Sequence, residues 1–289
     1  MDPHLLRTFV AVTRLASFSA AARELGYTQS AVSQHIAALE SDLGLPLLTR
    51  RPVAPTRAGA RLLEHAVPLL LRLDAARAEL GRMAAAPAGE VTVAASPLAV
   101  GPRLLAALPA TARVTLRVQP RDAIPAALAT GAADLGLVDG LAAPSDPLHL
   151  PDTAPLTATP VAEVPLAVHL PAGHPLAHRP GLRLGDLTAA RWLDAPAAGL
   201  PLDRLRAAHG TYGFRPALRY DGTDLRTLTA LAAAGRGLTL LPVTVPPDAD
   251  ALAVPLVEPR LVHRVELLHG GEAAGPAAEL AALLTAPDH

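Results

Sequence analysis

A stripe of amide and hydroxyl side chains near the N-terminus is the part of this sequence best suited to hydrogen-bonding chemistry. Gln29, Ser30, Ser33 and Gln34 recur at the spacing of one face of a helix. Glutamine pairs bidentately with adenine and serine adapts to several base edges, so such a face can read the major groove of DNA. On an isolated amphipathic helix the same face is simply solvated, and the surrounding elements must decide between the two readings.

Two short helices joined by a tight glycine-containing turn are predicted around this stripe. Ser17 and Ser19 supply N-cap chemistry for an alanine-rich helix, and Gly26 ends it. Thr28 starts the second helix, predicted over residues 29–40, and this order is the helix-turn-helix plan. The second helix is amphipathic, because three apolar residues recur opposite the polar stripe: Val32, Ile36 and Leu39.

The N-terminal region resembles the DNA-binding domain of LysR-type transcriptional regulators. The resemblance implies an all-α winged helix-turn-helix domain over residues 1–60. An ordered series of segments carries it: 9–12, 17–22, 28–36, 39–40, 43–44 and 56–59.

The resemblance also implies roles for single residues. Thr28 and His35 would lie near phosphates, which position a protein without specifying sequence. Arg50 and Arg51 would lie in the wing, where arginine commonly meets the DNA backbone or the minor groove. The wing is shorter than is usual in the family and carries Pro52, which weakens the case for minor-groove contact. The side chains that would face base edges are Gln29, Ser30, Ser33 and Gln34.

A long helix is predicted after the wing, roughly over residues 56–83. Apolar residues recur there at alternating spacings of four and three, which is typical of a coiled-coil seam. A helix packed on its own domain is the alternative, and the resemblance favours a dimerising linker helix over residues 61–86. Pro68 predicts a kink or a break into two shorter helices. The seam consists of Leu62, Ala66, Leu69, Leu73, Ala76 and Leu80.

Strands and helices alternate in residues 87–289, which predicts an α/β domain with parallel strands. Strands are predicted over 91–95, 114–118 and 134–138, with helices over 98–108 and 124–130 between them, and a second set follows. Two such lobes joined by crossing strands resemble the effector domain of the same family, which is built like periplasmic binding proteins. The boundaries expected are lobe I at about 90–160 and 265–289, and lobe II at about 161–264.

Ligands of such folds bind in the crevice at the carboxyl ends of strands. Ser96 and Thr223 are each placed to cap a helix, whose N-terminus would favour an anionic ligand, although either can be a cap and nothing more. The aspartates nearby leave the charge of the ligand open. The candidate effector-binding residues are Ser96, Pro97, Leu98, Asp139, Asp194, Thr223 and Asp224.

The amino-acid composition and the distribution of charge limit the classes of function open to this chain. The chain has no cysteine, which excludes disulfides and thiolate chemistry. Residues 1–86 hold 10 arginines against 7 acidic residues, a balance of +3, although the whole chain carries −1. His169, His174 and His178 lie among prolines and glycines with no rigid face to align them, so we expect no metal site. We find no catalytic motif and expect no cofactor; an enzyme fused to a DNA-binding module is the competing class.

The sequence therefore predicts a cytoplasmic transcriptional regulator, a homodimer or homotetramer with no membrane segment. It would bind double-stranded DNA at an interrupted palindrome and respond to a small-molecule effector held between the two lobes. Two alternatives are compatible with the same sequence. One is a constitutive DNA-binding protein whose effector domain binds no ligand, and the other is a regulator whose effector domain responds to a partner protein.

Overall fold

The computed structural model describes residues 1–84, 89–110, 112–149, 156–210, 213–270 and 273–286. These residues form two compact units. The first runs over Met1–Ala78, and the second over the described residues from Glu79 onward.

The first unit is helical, with one small hairpin. Its helices begin and end at residues suited to those positions: Ser17 and Thr28 accept backbone amides at the starts of the second and third helices, and Gly26 and Gly44 adopt left-handed backbone at their ends. These caps confirm the predicted helix-turn-helix. The elements are α1 (Pro3–Leu15), α2 (Phe18–Leu25), α3 (Gln29–Leu43), β1 (Leu48–Arg50), β2 (Val53–Pro55) and α4 (Arg57–Ala84), of which the residues from Glu79 onward are assigned to the second unit.

Thr56 and Gly59 fix the start of α4 against the hairpin. The Thr56 hydroxyl accepts the Gly59 amide at 3.1 Å and donates to the Pro46 carbonyl at 2.7 Å. A Cβ at Gly59 would lie 2.1 Å from the Leu47 carbonyl oxygen, so only glycine allows this close approach. The segment 56–59 therefore has a packing role.

Helix α4 continues through Pro68, so of the two outcomes expected there the break into two shorter helices is wrong, and the kink stays a prediction. Neighbouring side chains hold this part of the helix, since Ala66 and Leu70 are buried in the core of the first unit. Packing against a core outweighs the hydrogen bond that proline removes.

The second unit is an α/β domain. Its elements are β3 (Glu90–Ala95), α5 (Pro102–Ala107), β4 (Arg113–Val118), α6 (Ile124–Ala129), β5 (Leu135–Ala142), β6 (Leu156–Pro171), β7 (Leu182–Arg183), β8 (Arg191–Asp194), α7 (Leu202–His209), β9 (Arg215–Arg219), α8 (Leu225–Ala233), β10 (Thr239–Pro242), β11 (Ala251–Glu258), β12 (Val262–Gly270) and α9 (Pro276–Thr285).

Two groups of strands are joined by the long strand β6. Strand β3 pairs in parallel with β4 and β5, as predicted, and β12 joins β5 to the first part of β6. The last part of β6 pairs with β10 and β11, while β8 and β9 form a separate parallel pair. Because one strand serves both groups, the domain has two lobes with a continuous sheet between them.

Each lobe has its own core. In lobe I, Val93, Leu135 and Leu280 pack between the sheet and α9. In lobe II, Trp192 and Phe214 are fully buried and meet edge to face at 5.6 Å between ring centroids. These aromatic rings supply bulk that the leucines and alanines around them lack.

Several local elements differ from what the sequence predicts. The helix predicted over 98–108 is a short 3-10 turn followed by α5, because Gly101 and Pro102 restart the helix. The third strand extends to Ala142, so Asp139 lies within β5 and does not follow it. Strand β11 was not predicted, because Pro255 interrupts its apolar pattern.

Candidate nucleic-acid interface and ligand cleft

The N-terminus of α3 presents the polar stripe. Gln29, Ser30 and Gln34 are exposed and Ser33 is half-buried. Thr28 caps the helix, its hydroxyl accepting the Ala31 amide at 3.2 Å and lying 2.9 Å from Ser30 Oγ. Hydrogen-bonding groups therefore cluster at the first turns of the helix.

The opposite face of α3 fixes its orientation. Val32, Ile36 and Leu39 are fully buried against Phe9 and Val12 of α1. Since packed interiors resist rotation of a helix about its axis, burial of this face keeps the polar stripe turned outward.

His35 is held by α1. Its Nδ1 lies 3.1 Å from Thr8 Oγ1, and the Thr8 hydroxyl donates to the His4 carbonyl at 3.0 Å. Because that hydroxyl has one proton, the contact is satisfied when Nδ1 of His35 is the donor. Tyr27 meets the imidazole edge to face, with 5.2 Å between ring centroids. His35 is therefore anchored, with Nε2 as its other polar atom.

The hairpin β1–β2 carries both arginines predicted for the wing. Arg50 and Arg51 are exposed, and the Arg50 guanidinium lies over the Phe18 ring at 5.0 Å. This cation–π contact restricts Arg50 without consuming its hydrogen-bond donors.

The apolar residues predicted for the α4 seam divide between two surroundings. Leu62 and Ala66 belong to the core of the first unit. Leu69 and Leu80 are 48% and 65% exposed. The first part of the series is thus a core face, and the later part is an apolar surface on this single chain.

A cleft of about 320 Å³ lies between the two lobes of the second unit. Four of the predicted effector residues line it: Ser96, Pro97, Asp139 and Asp194. The Ser96 hydroxyl donates to the Leu137 carbonyl at 3.3 Å, and Asp194 accepts from Arg219 at 2.9 Å.

Three predicted effector residues do not line the cleft. Leu98 is buried in the core of lobe II. Asp224, not Thr223, caps α8, so the capping role predicted for Thr223 is wrong. Hydrogen bonds from the Thr227 hydroxyl and amide lower the pKa of Asp224. Ser96 stands before a 3-10 turn but makes no side-chain cap to it.

Sequence reasoning missed the arginines of the cleft. Arg121 follows β4, and Arg204 lies in the first turn of α7. Arg206 and Arg219 also line it, Arg206 donating to the carbonyls of Gly213 and Phe214. Ligands of such folds bind at the carboxyl ends of strands, so the position of Arg121 after β4 could have identified it. Arg204 does not follow a strand, and its sequence position gives no such signal.

Asp139 connects the cleft to a buried polar network. His263 Nε2 lies 3.0 Å from Asp139 Oδ2, and both side chains are buried between the paired strands β5 and β12. On the same strand, Arg264 is ion-paired with Glu266 and Glu163. Strand β12 thus carries two separate sets of paired polar side chains, one of them at the cleft.

Both units match known families. Residues 3–60 match the family described as "Bacterial regulatory helix-turn-helix protein, lysR family", and residues 84–284 match "LysR substrate binding domain". The chain belongs to the LysR family of bacterial regulators. It is a DNA-binding transcriptional regulator with an effector-binding domain, and the family is one of regulators, not of enzymes.

Curated LysR relatives and solved structures cover most of the chain. The small neutral protease regulatory protein of Streptomyces coelicolor is 31% identical over 81% of this chain and 71% of its own. The uncharacterized HTH-type transcriptional regulator YnfL of Escherichia coli is 29% identical over 83% of this chain and 81% of its own. Full-length CbnR complexed with its target DNA has a TM-score of 0.54 and 24% identity, covering 98% of this chain and 99% of that chain.

Two kinds of feature are absent from the described residues of this LysR chain. Within the described residues, no group of three histidine or acidic side chains is placed to hold a metal ion. In the same part of the chain, no helix has the length and apolar character required to cross a membrane. His169 is buried on β6, and His174 Nδ1 accepts the Leu176 amide at 3.2 Å.

Proposed function

We propose that this regulator reads DNA sequence through α3 and responds to a small molecule bound in the inter-lobe cleft. Gln29, Ser30, Ser33 and Gln34 contact base edges in this scheme. One observation supports this proposal. Helix α3 has a fully buried apolar face and, opposite it, an outward face of amide and hydroxyl side chains, which is the arrangement that a helix in the major groove needs.

The remaining predicted DNA contacts have supporting roles. Thr28 and Arg51 approach phosphates, and Arg50 does so from its place over the Phe18 ring. His35, held by Thr8, can reach a phosphate only through Nε2. These contacts position the helix on the duplex and leave sequence preference to the polar stripe.

Dimerisation is the proposed role of the exposed part of α4. Leu69 and Leu80 form an apolar surface that a second copy of the same helix can cover, and Leu73 between them is half-buried. Two chains related by a twofold axis would present two copies of α3 to half-sites about one DNA turn apart, which corresponds to an interrupted palindrome. A tetramer would pair two such dimers.

The proposed regulatory domains are the DNA-binding domain at 1–60, the linker helix at 61–86 and the effector domain at 87–289. A ligand in the cleft favours one arrangement of the lobes over another, and only its difference in affinity for the two can shift their populations. The lobe strands that bear Asp139 and Asp194 line the cleft from both sides.

Genome-wide mapping of DNA bound by the tagged protein tests this function. Wild type should give discrete peaks that share a palindromic motif, and Gln29→Ala/Ser33→Ala should lose or alter that motif. Ser41→Ala, an exposed serine on the same helix outside the stripe, is the matched control and should reproduce the wild-type peaks. An absence of peaks from soluble, folded wild type would overturn the proposal.

A further inference from the structure

The cleft between the lobes is lined by charge more than by apolar surface. Arginines and aspartates make up half of the residues around it, and prolines, alanines and a leucine supply most of the rest. No aromatic residue lines it among the residues that the structure describes. At about 320 Å³ it is also near the lower end of the volumes usual for ligand sites. A small, polar ligand is the kind it fits.

Arg121 is a fixed cation on the lobe I side of the cleft. Its Nη2 donates to the His149 carbonyl at 3.0 Å. A Cβ at Gly140 would lie 2.4 Å from Nη1, so the guanidinium lies directly against the β5 backbone at a position that glycine leaves open. Burial lowers the pKa of Arg121, the charge of Asp139 raises it, and that of Arg204 lowers it. The guanidinium is thus held in place near a second cation.

Arg204 is the cation on the lobe II side. Within the described part of the chain, no group makes a hydrogen bond or an ion pair with its guanidinium. The other two arginines of the cleft differ, because Arg219 is paired with Asp194 and Asp221 and Arg206 donates to two carbonyls. Arg204 therefore has its full set of donors to offer a ligand.

Most carboxylates around the cleft already have partners. Asp194 accepts from Arg219, Asp139 lies 3.0 Å from His263, and Asp203 accepts the Arg204 amide at 3.0 Å. Asp122 is exposed, and its effect on the pKa of Arg121 is smaller than the opposing effect of Arg204. The groups left to meet a ligand are thus mainly donors with positive charge.

We propose that the effector is a small, non-aromatic carboxylate held between Arg121 and Arg204. This inference rests on the proposed function, in which the cleft is the effector site. Planar guanidinium groups match a carboxylate in two-bond geometry, and one arginine from each lobe lets the anion favour a closed arrangement. The acidic Asp122 and Asp203 beside the two arginines disfavour a dianion such as phosphate more than a monoanion.

Calorimetric titration of the full chain tests the proposal. The probes are acetate, lactate and glycolate, each compared with its neutral amide at constant ionic strength, together with benzoate and inorganic phosphate. At least one of the three small carboxylates should bind, its amide should not, and benzoate and phosphate should bind more weakly. Binding of none of the three, equal binding of the amide, or tighter binding of benzoate or phosphate would overturn the proposal.

Substitutions in and near the cleft test whether the carboxylate binds between Arg121 and Arg204. Arg204→Gln should raise the Kd of the best carboxylate about tenfold to a hundredfold. Arg215→Gln removes the same charge from an exposed position in lobe II outside the cleft and should leave the Kd unchanged. Gly140→Ala adds a Cβ against Nη1 of Arg121 and should raise the Kd with Arg204 intact. An unchanged Kd in Arg204→Gln contradicts the arginine pair.

The same protein samples separate this inference from the proposed function. Their affinity for a duplex recovered by the mapping experiment is measured in parallel. Retained DNA binding with no carboxylate binding overturns only the effector class. Carboxylate binding with no specific DNA binding in wild type would instead overturn the proposed function.

Discussion

The Glu40 carboxylate accepts the backbone amide of Leu47 at 2.7 Å and that of Leu48 at 3.2 Å. Glu40 lies on α3 and the two leucines lead into the hairpin, so one side chain fixes the wing relative to the proposed recognition helix. Both leucines are buried, which makes water a poor substitute for the carboxylate.

Removal of this carboxylate should loosen the wing. Glu40→Ala leaves the amides of Leu47 and Leu48 without their acceptor and should lower the free energy of unfolding of the first unit by about 1–3 kcal/mol. Glu40→Gln retains an acceptor oxygen and should lose less. Hydrogen exchange of the first unit, followed by mass spectrometry, measures both, and wild-type protection in Glu40→Ala would contradict the role.

Pro68 should lower the stability of the first unit by interrupting the hydrogen bonding of α4. Pro68→Ala restores a backbone donor inside the helix and should raise stability by up to about 3 kcal/mol. Pro102 stands at the start of α5, where proline is tolerated, so Pro102→Ala is the control and should bring no comparable gain. Thermal unfolding followed by circular dichroism reports both variants. No gain in Pro68→Ala would mean that the surrounding core already accommodates the proline.

His169 should make the second unit sensitive to acid. It is fully buried, neither ring nitrogen has a hydrogen-bond partner within the described residues, and burial lowers its pKa to about 4. The unfolded chain, with a pKa near 6.5, then binds more protons than the folded one between these values, so stability falls as pH drops through this window.

His169→Leu isolates that effect. Wild type should lose about 2 kcal/mol between roughly pH 7 and pH 5 from this group, and the variant should lose that much less. His178→Leu, at an exposed histidine of the same lobe, is the control and should retain the wild-type slope. Chemical denaturation at the two pH values, with Trp192 fluorescence as the signal, gives the comparison. Parallel pH profiles for wild type and His169→Leu would refute the assignment.

Arg50 should contribute one phosphate contact. Arg50→Ala should reduce the slope of log K against log salt concentration by up to about 0.9. Arg14, which is ion-paired with Glu24 on the same unit, provides the control Arg14→Ala, for which the slope should stay at the wild-type value. Fluorescence anisotropy over a salt series measures the slopes. An unchanged slope in Arg50→Ala would remove this arginine from the interface.

Local chemistry made the first unit predictable. Ser17, Thr28 and Gly26 act within a few residues of the chain, so their capping roles can be read without knowledge of the fold. The burial of Val32 and Ile36 follows from helical periodicity in the same way. In the second unit, the parallel order of β3, β4 and β5 followed from their alternation with helices.

The sequence did not reveal structural features that depend on contacts between residues far apart in the chain. The sequence pattern predicts this strand only over 164–170, whereas β6 begins at Leu156. Its first part is set by pairing with β12 about a hundred residues later, and Pro160 obscures the pattern. The pairing of Asp139 with His263 and the position of Arg204 opposite Arg121 have the same origin. Only the folded topology brings these residues together.

The most direct test of the central claim is a measurement of DNA affinity. Purified wild type and Gln29→Ala/Ser33→Ala are each titrated with the recovered DNA site and with a scrambled duplex. The claim is that the exposed face of α3 reads base sequence. The variant should lose about 1–3 kcal/mol of discrimination for each good direct contact removed, while its affinity for the scrambled duplex stays at the wild-type value. Equal weakening on both duplexes, or no change on either, would contradict it.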